Sequence, residues 1–155
     1  MRMGTPLALA AVIAMELAGC SRQGQQMHKI YNPPTVHAPL AAYSHAVEVS
    51  PNARWLFLGG QVGWRPDGTH PEGFDEQAEQ TWRNILNVLA AANMGAEDVV
   101  RVTTYVTNVS YRDAASAARK RALGSTRPAA TFLVVEALAI PDMLIEVDVV
   151  AAKAP

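Results

Sequence analysis

Cysteine is nearly absent from this chain: Cys20 is the only one in 155 residues. A lone thiol excludes an internal disulfide and the paired-cysteine spacings of structural zinc sites. Histidine is scarce as well. His28, His37, His45 and His70 form neither a His-x-x-x-His pair nor a set with neighbouring carboxylates, so no metal is expected. Charge is sparse, at 17% of residues, and balanced, with 13 basic against 14 acidic side chains. No basic stripe exists to neutralise phosphates, which argues against nucleic acid as a partner. Long apolar runs are also missing. The run from Pro6 to Met15 is too short to span a bilayer as an ordinary membrane helix.

What is present is a chain of single-domain length, half of it hydrophobic, able to bury a core. No repeat or low-complexity linker interrupts residues 27–155, which read as one domain. Ala46–Val49 and Arg54–Val62 read as strands around a Ser50-Pro51-Asn52 turn, where Pro51 pre-sets one dihedral and Asn52 tolerates the next. Gly63–Gly73 is a turn-rich loop. Asp75–Met94 is the clearest helix: Ala78, Trp82, Ile85, Leu89 and Ala92 recur every three or four residues. Asp75 and Glu76 favour its dipole, and Gly95 is expected to end it in the left-handed conformation. Val99–Thr107 is β-branched and alternating, a strand. A second helix starts at Ser110, where Ser110-x-x-Asp113 is close to a capping box. Tyr111, Ala115, Ala118 and Ala122 give it a narrow apolar stripe, and Gly124 stops it. Thr131–Ala137 and Leu144–Ala151 complete an α+β sheet with helices on one face.

Five short segments then carry a resemblance. They are Tyr43-Ser44-His45-Ala46, the run Leu58 to Gly63, the helix Glu79–Asn93 with Asn84 and Leu89, the run Asp98 to Thr103, and Arg127-Pro128-Ala129. Each is weak alone; in this order and spacing they resemble the RidA/YjgF family over nearly all of residues 27–155. The resemblance implies a chorismate-mutase-like mixed sheet with two helices on one face. It also implies a homotrimer with small-molecule pockets between subunits, and no cofactor. The family's best-known activity is hydrolysis of reactive enamines and imines.

Carried over by position, the resemblance makes Glu146 and Tyr43 the catalytic candidates. Glu146 would position the attacking water, which is general acid–base work, and Tyr43 would hydrogen-bond the substrate. Gly60, Gln61, Ser116, Ala130 and Phe132 fall at substrate-binding positions. Ala130 is the departure: deaminating members place an arginine there that grips the substrate carboxylate bidentately. Its loss, with Phe132 making the pocket more apolar, disfavours small acidic substrates and makes the standard 2-imino acid reaction doubtful. Arg127 and Arg101 do not replace it on this reading, since Arg127 reads as a structural or interface residue and Arg101 faces away from the core. Each position also has a plain alternative. Glu146 and Asp148 alternate with Ile145, Val147 and Val149, as on a solvated strand face. Tyr43 reads equally as a packing aromatic, Ser116 as an exposed helical residue, Gly59 and Gly60 as a bulge, and Trp64 as a loop anchor or pocket lip. Catalysis therefore competes with a second reading, a non-catalytic trimer that binds a ligand or partner.

Two readings of residues 1–26 stand side by side. Leu17-Ala18-Gly19-Cys20 resembles a bacterial lipobox, which would export the protein and hold it to a membrane through a lipid on Cys20 alone. Glu16 and the single basic residue ahead of the run speak against it. Alternatively Met27 begins the protein, residues 1–26 are upstream sequence, and the location is cytoplasmic.

Overall fold

The computed structural model describes residues 28–155, so the lipobox-like segment and the start at Met27 lie outside the described residues. The strands are β1 (His28–Tyr31), β2 (Ala46–Val49), β3 (Arg54–Phe57), β4 (Val99–Val106), β5 (Ala129–Val134) and β6 (Ile145–Lys153). The helices are α1 (Phe74–Ala91) and α2 (Arg112–Leu123). A four-stranded sheet runs in the order β3-β6-β4-β5, while β1 and β2 form a separate antiparallel ladder. β6 is antiparallel to both its neighbours, and β4 and β5 are parallel. A parallel pair needs a crossover, and α2 provides it. The result is the expected α+β arrangement, with both helices packed on one face of a mixed sheet.

The core lies between that face and the helices. Ala78, Trp82, Ile85 and Leu89 from α1 meet Val102, Val106, Ile145, Val147 and Val149 from the sheet. The period-four stripe of the sequence is thus the buried face of α1. Along β6 the same alternation buries Ile145, Val147 and Val149 and leaves Glu146 and Asp148 on the opposite, open face. That open face also carries an apolar patch. Trp55 and Phe57 stack on each other there while remaining 46% and 73% exposed.

Several boundaries differ from the sequence expectation. β1 was not anticipated, since His28–Tyr31 is too short and too polar to show a period. β3 stops at Phe57 rather than Val62 because Gly59 and Gly60 leave the ladder. Leu58 donates to Val149 and Gln61 to Val147, so two glycines lie opposite Asp148 alone, a bulge. α1 ends at Ala91, and the left-handed residue beyond it is Asn93, not Gly95: Asn93 has φ 55°, and the Met94 amide donates back to Leu89. Asn is the residue after Gly that best tolerates this cap, and Gly95 stays extended. Asn108 caps the short 3-10 turn Val109–Tyr111 that leads into α2, its side chain accepting from the Ser110 amide, while α2 itself has no side-chain cap. Gly124, with φ 56°, does end α2.

One buried polar residue ties α1 to the β5–β6 connection. Gln77 is fully buried, donates to the carbonyls of Pro71 and Asp142, and accepts from the Leu144 amide. Gln77→Leu keeps the volume but leaves the Asp142 carbonyl and the Leu144 amide without partners and takes from the Pro71 carbonyl one of its two contacts, the other being the His70 ring. A stability loss of at least about 1–3 kcal/mol is expected, read by urea unfolding.

Candidate functional site

The segment that follows β1 is pinned to the sheet by Ser44. Its amide donates to Pro128, its hydroxyl donates to the Arg127 carbonyl at 2.8 Å, and Ser44 bridges Ala129 in parallel register. This places Tyr43 at the start of β5. Across from it, β4 and β5 pair Val102 with Ala130 and Thr104 with Phe132. These residues sit on the helix-facing side, where α2 closes over them. Between the three elements is a cavity of about 200 Å³. Tyr43, Leu40 and Ala41 form one wall, Thr104, Ala130, Thr131 and Phe132 the floor, and Arg112, Ala115, Ser116 and Arg119 of α2 the roof.

Tyr43, Ser116, Ala130 and Phe132, four of the expected site residues, therefore share one cavity. The other three do not join them within a single subunit. Glu146 projects from the open face of β6, opposite Tyr105 in the β4 ladder. Gly60 lies directly beneath it, and a Cβ on Gly60 would overlap the Glu146 carboxylate. Gln61 stays local, donating to the Gly59 carbonyl. The neighbouring Tyr105 phenol donates to Asp148 at 3.1 Å, and that hydrogen bond holds its pKa above the ordinary tyrosine value. Tyr105 thus remains a protonated donor at neutral pH.

The loop that carries Gly60 and Gln61 is fixed from α1. Asn84 donates to the carbonyls of Val62 and Trp64 and accepts from Gln80. Trp64 is tilted against His70 and is not among the residues that line this cavity. Arg127 donates to the carbonyls of Gly124 and Thr126, a structural role, and Arg101 is exposed and donates to Thr131.

Gly60→Ala is a sharp probe of the Glu146 half. The overlapping atoms are the far end of a flexible side chain, so the fold should accommodate the methyl by moving the carboxylate. Near-native unfolding is expected; if Glu146 positions the attacking water, as the resemblance implies, turnover falls by about tenfold or more, since small misplacements of such a group are costly. Paired unfolding and activity measurements check it.

Sequence reasoning missed Arg112 and Arg119. The usable signal was the spacing 112, 115, 116, 119, one face of a helix. The apolar stripe through Ala115, Ala118 and Ala122 drew attention away from it. Among the described residues no cluster of His, Cys, Asp and Glu could hold a metal ion. No helix among them is long and apolar enough to cross a membrane.

Comparison with known proteins agrees with this architecture. The family model described as "Endoribonuclease L-PSP" matches residues 35–153. Protein HMF1 of Saccharomyces cerevisiae is 32% identical over 75% of this chain and 88% of its own length. The rat protein named 2-iminobutanoate/2-iminopropanoate deaminase is 27% identical over 83% of this chain and 93% of its own. A RutC family protein of Aquifex aeolicus is 39% identical, but the match spans 59% of that relative. Among solved structures, the Rid family protein YyfB of Yersinia pestis superposes with a TM-score of 0.75 at 32% identity, covering 82% of this chain and 99% of that one. The sheet order, the two helices on one face and the five sequence segments now agree with these matches: the chain belongs to the RidA/YjgF family and has its chorismate-mutase-like fold.

Proposed function

We propose that the protein hydrolyses a reactive enamine or imine of a small metabolite, in clefts between the subunits of a homotrimer. The observation that carries this reading is the division of the candidate residues between two faces of the sheet. Tyr43, Ser116 and Phe132 line a cavity on one side, and Glu146 stands over Gly60 on the other. Neither half is a complete site. Packing of three subunits through the open face would bring one subunit's cavity against its neighbour's Glu146. The exposed Trp55–Phe57 stack on that face supports such packing, because an apolar patch of two large aromatics is normally covered.

In this site Tyr43 hydrogen-bonds the substrate, and Glu146 takes a proton from the attacking water. The water oxygen bonds to the imine carbon. The proton then passes to nitrogen, giving a carbinolamine; the proton of its hydroxyl is carried to the nitrogen in turn as the C–N bond breaks, and a carbonyl compound and ammonia leave. An enamine enters the same route after protonation at carbon. The test is release of ammonia from imines generated in situ by an amino acid oxidase, together with the solution mass of the native protein. A trimer that accelerates release supports the reading; a monomer, or release at the uncatalysed rate, sinks it.

Ala130 favours a second reading, a trimer that binds a ligand without turning it over. Binding of a stable keto analogue by a protein with no hydrolytic rate would select it.

A further inference from the structure

Helix α2 turns Arg112, Ala115, Ser116 and Arg119 toward the cavity, a single stripe at spacings of three, four and seven. Arg119 is the unusual member. It is only 8% exposed, yet its side chain makes no hydrogen bond or ion pair among the described residues. Its helix neighbour Arg121, more exposed, is paired with Glu79. A guanidinium keeps its proton in proteins, and the Arg119 nitrogens are not sealed from solvent but open to the cavity, where an anion is their fitting partner.

Nothing on this subunit's own wall of the cavity supplies that anion. The lining contains two arginines and no Asp or Glu. Burial lowers the Arg119 pKa, and the Arg127 cation nearby lowers it further, with Tyr43 acting in the opposite direction. The roof and floor also leave room for a small guest, because Ala115 and Ala130 face the cavity with only a methyl each.

We propose that Arg119, aided by Arg112, is the anion clamp of this cavity and holds the carboxylate of a small 2-imino or 2-enamino acid. The cation that relatives with an arginine at position 130 present from β5 is presented here from α2. Ala130 and Arg119 are then two halves of one exchange: a strand arginine would fill the space into which the helix arginine points, and two cations there would repel. Ser116, one turn before Arg119, adds a hydroxyl to the same wall. This inference rests on the cavity being the substrate site named above, and it assigns that substrate a negative charge.

The experiment is calorimetric titration of the full-length protein with 2-oxobutanoate, a stable keto counterpart of an imino acid, and with its uncharged amide. The wild type is expected to bind the acid more tightly than the amide. Arg119→Met keeps the apolar stem and removes the cation. It should weaken acid binding by about 10- to 100-fold, the loss of one charge-assisted contact, and leave the amide nearly unchanged. Arg112→Gln should have a smaller effect in the same direction. Equal affinity of the wild type for acid and amide overturns the proposal, and this arm holds even if Arg119→Met does not fold. Unchanged acid binding in a folded Arg119→Met also overturns it. A variant that alters oligomer mass, from a wild type that binds no acid, makes Arg119 an interface residue and overturns it too. Arg119-dependent acid binding without ammonia release sinks the hydrolase reading and leaves the clamp standing.

Discussion

Glu146→Gln is expected to lower imine turnover by about 10²- to 10⁴-fold, the usual contribution of a positioned general acid or base. The change is nearly isosteric and removes only the ability to take a proton from water. Its stability effect should be small. Glu146 is half-buried on the open face of β6, and its neighbours Ile145 and Val147 carry the packing on the other side. Affinity for 2-oxobutanoate should be retained, because the carboxylate grip is assigned to α2 and not to β6. The comparison of kcat with analogue affinity separates the two halves of the site. An unchanged kcat would remove Glu146 from the reaction and leave its position over Gly60 as packing.

Much of the fold was legible because the strongest signals are periodic. Ala78, Trp82, Ile85 and Leu89 mark one face of α1 in the sequence, and each is buried in the core. The alternation along β6 alone places Glu146 and Asp148 opposite the core. Boundaries were harder to read, since they depend on single residues with competing options. Asn93 is the left-handed residue beyond α1, two residues before Gly95, and Asn108 outcompetes Ser110 as the cap of the 3-10 turn ahead of α2. Gln77 could not be found at all. A glutamine on a helix reads as exposed, and its burial follows only from three backbone groups brought to it by distant loops.

The site was legible to a different degree at each position. Tyr43, Ser116, Ala130 and Phe132 were assigned by resemblance, and the fold gathers all four into one cavity. Glu146 and Gly60 were assigned in the same way, and the fold puts them together on the opposite face. No sequence pattern could say that the two groups are separated by the thickness of a sheet. Arg119 escaped because a charged residue on a short, alanine-rich helix reads as solvated. It shares its cavity with the segment around Tyr43 and with β5, which are distant in sequence. The missing arginine at 130 and the buried arginine at 119 become one observation only in three dimensions.

The second large effect concerns stability, and Trp82→Ala is its sharpest case. Trp82 is 2% exposed, at the centre of the face of α1 that meets the sheet. Removing the indole deletes the largest side chain of that stripe. It leaves a void that Ile85, Leu89 and the β4 and β6 valines cannot close, because each is held by its own strand or helix turn. The expected loss is about 3–5 kcal/mol. That is a large fraction of the roughly 5–15 kcal/mol that holds a domain folded. A milder comparison, Ile85→Val at the next turn, should lose about 0.5–1.5 kcal/mol. Denaturant unfolding of both variants at fixed protein concentration reads the difference, since association would stabilise the folded state by mass action. If α1 is the wall on which the sheet is built, Trp82→Ala should also lose the bulged loop that Asn84 holds from the following residues of the same helix. Gly60 would then no longer support Glu146, and turnover should fall in the remaining folded fraction as well as in the total. A Trp82→Ala protein with native unfolding energy would mean that the core is organised around β4 and β6 alone.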